Sequence, residues 1–257
     1  MAIAAASPSQ KAAQYAASAS VALAFPNNVA ADSLVTVVGF VYTGTTNDPP
    51  TPGDLTQTAG TATLFAISRD AVCTRDIGPG AAIIHEVQYS AIVKTAGSLT
   101  LTLNGGASGV TSYIALDEYT GSWNERRVVD SAVATGNSSA PGSGNAISTQ
   151  PALFVGGLMH LNTTTGSAAT EDGAFTLIAE QDSSPTQIGA SVIARIVSAA
   201  TTDAADWTTS AAADWIATAV VYQEAEAPFV FDPPVLSAAG ADDITSTSAR
   251  PKVTITF

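Results

Sequence analysis

Strict alternation of apolar and hydroxyl side chains is the feature that most limits how this chain can fold. Ser98-Leu99-Thr100-Leu101-Thr102-Leu103 alternates without a break and stops at Asn104-Gly105-Gly106. Successive strand residues point to opposite faces, so Leu99, Leu101 and Leu103 share one buried face and the hydroxyls occupy the other. Ser20-Val21-Ala22-Leu23-Ala24-Phe25 repeats the pattern, with Val21, Leu23 and Phe25 inward, and ends at Pro26-Asn27-Asn28. Residues 34–42 are nearly continuously apolar, as in a central strand. The stretch that follows, from Thr43 to Pro50, is a loop by composition. Further strands are predicted around 61–67, 83–93, 112–119, 153–161, 175–180, 188–197 and 215–222. About ten strands separated by Gly, Pro and Asn predict an all-β protein, a jelly-roll-like antiparallel β-sandwich. Residues 132–150, rich in Gly, Ser, Asn and Ala, read as the longest turn segment. Helix signals are weak: 209–216 could form one turn, and 9–19 has helix-forming composition but no amphipathic face. No tandem repeat of fixed period is visible.

A boundary falls near Glu224-Ala225-Glu226-Ala227-Pro228, dividing a β-sandwich domain over 1–226 from a C-terminal extension over 227–257. Pro233-Pro234 removes ladder donors and excludes a central strand there. Lys252-Val253-Thr254-Ile255-Thr256-Phe257 reads as a terminal strand. A segment of about thirty residues is too short to fold alone without disulfides or metal. The extension is therefore expected to dock on its own sandwich or on a neighbouring subunit. Its candidate assembly interface is Phe229, Phe231, Leu236, Val253, Ile255 and Phe257.

Only 12% of residues are charged, against about 25% in ordinary domains, and the net charge is −13. Phosphate neutralisation needs clustered Lys and Arg, and the one basic pair is Arg126-Arg127, so nucleic acid is not an expected partner. No apolar stretch is long enough to span a bilayer, so membrane insertion is not expected. The N-terminal residues lack a secretory-signal pattern. The single cysteine, Cys73, cannot form an internal disulfide and reads as a buried, inert thiol.

Catalytic signatures are missing. HExxH, CxxC, DxDxDG, GxSxG and GxxxxGK[ST] do not occur, and the two histidines, His85 and His160, lie within predicted strands. Asp117 and Glu118 are adjacent and must face opposite ways on a strand. Glu86 and Glu118 are the carboxylates that neighbouring strands could place on one face. The expectation is a non-enzyme with no catalytic residues, cofactor or metal. Tyr119 and Trp123, where a strand runs into a loop, are candidate glycan contacts. Trp207 and Trp215 flank a small-residue segment.

Several segments resemble the β-sandwich virion proteins of tailed bacteriophages. Val21 to Phe25, followed by Asn28 to Val38, is similar to their opening strand, turn and long hydrophobic strand. Ala115-Leu116-Asp117-Glu118-Tyr119-Thr120-Gly121 looks like their aliphatic strand ending in an acidic, aromatic turn. Trp215 to Tyr222 fits their closing strand, and the tail from Ile244 to Phe257 is similar to segments near the ends of minor tail proteins. Residues 43–60 depart from the pattern with a Pro/Thr-rich stretch. The resemblance implies a non-enzymatic virion structural protein, a minor tail or capsid-decoration component assembled in the host cytoplasm. Its partners would be other virion proteins and copies of itself, as in a trimer. The alternative is a carbohydrate-binding module or adhesin that recognises host-surface glycans.

Overall fold

Central strands form where the sequence carries its longest apolar runs. β4 (Leu34–Thr43) and β13 (Ala152–Leu161) each occupy the middle of a large sheet. A strand covered on both faces needs no polar alternation, and β13 is buried at every residue but the last. The computed structural model describes residues 2–7, 10–18, 20–43, 54–77, 83–105, 109–123, 127–161, 170–171, 174–181 and 188–225. Among them there is no α-helix, and the strands pair antiparallel, as the alternation predicts. The chain divides into units Met1–Ala225 and Glu226–Phe257. The second unit lies outside the described residues, and with it the candidate interface residues Phe229, Phe231, Leu236, Val253, Ile255 and Phe257.

In the first half, β10 (Gly109–Thr120), β4 and β8 (Ile83–Thr95) form the middle of a large sheet. β1 (Ala4–Ala5) and β2 (Ala12–Ala16) both pair with β10 along one edge, and β6 (Thr63–Leu64) and β7 (Ser68–Asp76) both pair with β8 along the other. A small sheet of β3 (Ser20–Ala24), β9 (Leu99–Asn104) and β5 (Leu55–Gly60) covers one face. Leu99, Leu101 and Leu103 point from it into a core shared with Val37, Val41 and Val87, which is the face their alternation assigned.

The second half repeats this plan. Its large sheet runs β11 (Val128–Ser138), β18 (Ala213–Gln223), β13, β16 (Ile188–Val197), β15 (Thr176–Gln181). Its small sheet runs β12 (Gly142–Ser148), β17 (Thr201–Thr208), β14 (Thr170–Glu171). Replacing β2, β10, β4, β8 and β7 by β11, β18, β13, β16 and β15 converts one large sheet into the other, and β3-β9-β5 becomes β12-β17-β14 in the same way. Even irregularities recur: β7 bulges at Asp70 against β8, and β15 bulges at Ile178 against β16. The sandwich expected over residues 1–226 is thus doubled. The repeat lacks a fixed period because its offset drifts: β3 and β12 begin at 20 and 142, but β9 and β17 begin at 99 and 201.

The two large sheets pack face to face, giving four layers with three cores. The middle core joins Leu34, Val38 and Phe40 to Val155, Met159 and Val220. β2 lies against β15 and β7 against β11, so the pairing of the halves is itself close to twofold.

Other expectations need correction. Residues 12–16 form β2, an edge strand, where helix-forming composition suggested a helix. Residues 213–216 open β18 and form no helical turn. The supposed turn segment 132–150 carries most of β11 and all of β12, whose small, polar side chains suit an exposed edge and a thin outer sheet. The strand placed at 61–67 is instead the short β6, and the longer β7 begins at Ser68.

Candidate functional site

The seam between the large sheets carries polar chemistry in an otherwise apolar interface. On β8 every second residue faces the seam, which turns Glu86, Gln88 and Ser90 inward, each at most 1% exposed. Thr218 of β18 donates its hydroxyl to Glu86 Oε1. Gln88 Nε2 donates to Thr218 Oγ1 at 2.6 Å and to the Val155 carbonyl at 3.2 Å. Burial pushes the Glu86 carboxyl up to about 8, although the hydrogen bonds from Thr218 and Gln88 favour the charged form. Gly157 makes room for this group: a Cβ there would sit 1.9 Å from Glu86 Oε1.

One corner of the seam, between β7, β8, β11 and β18, is closed by a hydrogen-bonded network. Tyr222 Oη donates to Asp70 Oδ2 at 2.9 Å, and Ser90 Oγ donates to the same oxygen. Arg127, only 4% exposed, donates from Nε to Ser90 Oγ at 2.9 Å and from Nη2 to the Ser90 carbonyl at 2.7 Å. Burial raises the Asp70 pKa, opposed by Ser90 and by the nearby guanidinium.

The twofold-related corner, between β1, β10, β15 and β16, is an open cavity of about 440 Å³. Tyr119 holds the place of Tyr222. Each pairs with the edge strand on one side, at Ala5 or Val128, and with a leucine of the central strand on the other, Leu34 or Leu153. The other three members of the network are replaced. Ile178 stands at the bulge where Asp70 stands, Ala194 takes the place of Ser90, and Ala4 precedes Ala5 where Arg127 precedes Val128. The polar groups here are Tyr119, Asp117, Lys11, Thr176 and Arg195. Arg195 is paired with Asp203, and Lys11 Nζ donates to the Leu177 carbonyl at 3.2 Å. Tyr119 Oη lies close to the Asp117 carboxyl but off hydrogen-bonding geometry. Buried Asp117 Oδ2 and Tyr119 Oη consequently have no hydrogen bond among the described residues. Burial raises the Asp117 pKa, with Tyr119 and Lys11 acting in the opposite direction.

Tyr119 is 2% exposed, so its ring is core and not the open stacking platform a glycan contact requires. Trp123 is half-buried; its Nε1 donates to the Tyr119 carbonyl at 3.1 Å, and the indole lies over Gly121. Trp207 and Trp215 are buried beneath the second small sheet. Glu86 and Glu118 do not share a face: Glu86 enters the seam, whereas Glu118 turns away and accepts from Ala30 N and Ser33 Oγ, each at 2.6 Å. Asp117 and Glu118 do point to opposite sides of β10. His85 and His160 are both buried, and the Cys73 thiol, 5% exposed, is pushed up to about 12 by burial and the neighbouring Glu86.

Sequence reasoning gave no role to Asp70, Ser90 or Lys11, and read Arg127 only as half of a basic pair. The available signal was the run Glu86-Val87-Gln88-Tyr89-Ser90, whose polar positions alternate as if facing solvent. Fold and seam together define a class, an all-β protein of two stacked, jelly-roll-like sandwiches with one corner filled and its twin open. The chain matches no protein-family model, no curated protein and no solved structure.

Proposed function

We propose that the chain is a non-enzymatic structural component that works by subunit assembly, as a minor tail or decoration protein of a tailed-phage virion would. The observation that supports this reading is the edge strand β11. It pairs only with β18 among the described strands, runs for eleven residues and carries one charge, Asp130. Val129 and Val133 stand 46% and 51% exposed on it. Long edges with free backbone donors and acceptors invite strand addition unless Lys, Pro or a break blunts them. The twin edge of the first sandwich is broken into β1 and β2; β11 runs unbroken from Asp130 to Ser138, past one bulge at Val129. The extension after Ala225 supplies an alternating segment, Val253, Ile255 and Phe257, of the kind that strand addition uses.

His85, Glu86, Cys73 and His160 are all sealed from solvent, which fits the same reading. Deletion of residues 228–257 tests the proposal, with light scattering for oligomeric state and circular dichroism for the fold. The expected result is a folded monomer in place of an assembly. A truncated chain that assembles like the full one would overturn the reading.

A further inference from the structure

We propose that the open corner cavity is a binding site for a guanidinium group, supplied by an arginine side chain of a partner polypeptide or by a small arginine-like molecule. The twin corner provides the template. There the same four strand positions enclose the Arg127 guanidinium, which lies beside the buried Tyr222 and Asp70 and donates to Ser90. In the open corner the tyrosine is retained, the arginine position is Ala4, and a carboxylate enters from β10 as Asp117.

Asp117 Oδ2 and Tyr119 Oη are buried oxygens that lie close to each other off hydrogen-bonding geometry and have no other partner among the described residues, and leaving buried polar atoms poorly satisfied is unfavourable. A planar, donor-rich cation can satisfy both at once, and such charge-assisted bonds are the strong ones. Of the two cations already lining the cavity, Arg195 is paired with Asp203, and Lys11 donates to the Leu177 carbonyl and reaches Asp117 through its charge without forming an ion pair with it. Ile178, Ala194 and Ile196 offer an apolar wall for the methylene stem of an arginine. A volume of about 440 Å³ falls within the usual range of ligand sites. The net charge of −13 favours approach of a cation. None of this depends on the assembly role.

Calorimetric titration of the full chain with N-acetyl-arginine amide, and with the isosteric N-acetyl-citrulline amide as control, tests the site. The arginine compound is expected to bind in the range of about 1 mM, as suits a fragment making two or three polar contacts. The citrulline compound, having lost the charge, should bind at least about tenfold more weakly. Asp117→Asn should weaken arginine binding by about tenfold or more. Thr176→Trp, at an exposed position on the cavity wall, should block binding without disturbing the core, and keeps the test decisive if Asp117→Asn folds poorly. A Gly-Arg-Gly peptide distinguishes the sources: tighter binding than the amide marks a polypeptide side chain, and weaker binding marks a small molecule. No detectable binding of the arginine amide, equal binding of arginine and citrulline amides, or undiminished binding by the Thr176→Trp variant would each overturn the proposal.

Discussion

The two sandwiches share a strand plan but fill their outer cores in different ways. Beneath β3, β5 and β9 the first packs aliphatic side chains of similar size, Val21, Leu55, Leu99, Leu101 and Leu103. Beneath β12, β14 and β17 the second sets two alanines, Ala146 and Ala205, beside two large indoles, Trp207 and Trp215, against Phe154, Leu158, Ile193 and Val221 of its large sheet. One plan therefore tolerates an evenly divided core or a core concentrated in a few rings, provided the total volume is filled. The concentrated core should be the more brittle.

Truncation of the central ring gives the largest contrast. Trp207 is 1% exposed, and its Nε1 donates to Ser191 Oγ at 3.1 Å. Ala205 and Gly156, at close approach beside it, have no side-chain length with which to fill the space it would leave. Trp207→Ala is expected to lose about 5 kcal/mol, the upper end for aromatic truncation, and to strand the Ser191 hydroxyl. Leu101→Ala, among leucines and valines that can relax inward, should lose about 2–3 kcal/mol. Urea unfolding of both variants measures the difference, and a greater loss in Leu101→Ala would break the comparison.

The seam sharpens the contrast through pH, because its carboxylate comes from the first sandwich and its hydroxyl partner from the second. Glu86 ionises near 4.5 in an unfolded chain but near 8 when buried. Between those values the folded state holds a proton that the unfolded state has released, so stability falls as pH rises and levels off above about 8. The loss across that window should be on the order of a few kcal/mol. Glu86→Gln should remove most of the slope, leaving the variant more stable than the parent at alkaline pH. Asp70 and Asp117, also raised by burial, should keep a smaller slope of the same sign. An unchanged slope in Glu86→Gln would show that the carboxyl is not sealed between the sheets.

These contrasts explain what the sequence disclosed. Leu99, Leu101 and Leu103 announce their strand because a regular core imposes a regular alternation. β17 spans Thr201–Thr208 and buries Ala205 and Trp207 between aspartates and threonines, so its alternation is carried by alanine and is hard to see. β12 is hidden for the same reason. The duplication escaped notice because topology and backbone register are repeated, but side chains are not: Ser90 answers to Ala194 and Asp70 to Ile178. The polar side of β8 was legible as polar but carried no mark of being buried. Only the second sandwich makes Glu86, Gln88 and Ser90 interior.

Two glycines on corresponding strands, one position per sandwich facing the small sheet, offer the smallest contrast and test the packing of each small sheet on its large one. Gly39 on β4 and Gly156 on β13 both face their small sheets at close approach. A Cβ on Gly39 would meet Leu103 Cδ2 at 2.7 Å, the end of a side chain that can rotate away. A Cβ on Gly156 would meet the Ala205 Cβ at 2.4 Å and Trp207 Cη2 at 3.2 Å. Ala205 cannot yield without moving its backbone, and the indole is held by Ser191. Gly156→Ala is therefore expected to lose about 2 kcal/mol through overpacking. Gly39→Ala should lose less than about 1 kcal/mol, since relief of glycine's conformational entropy offsets a modest repacking of Leu103. Thermal unfolding of the two variants side by side reads the difference. Equal losses would mean that the alanine-and-tryptophan core yields as readily as the leucine core, and that brittleness does not follow from concentrating volume in a few rings.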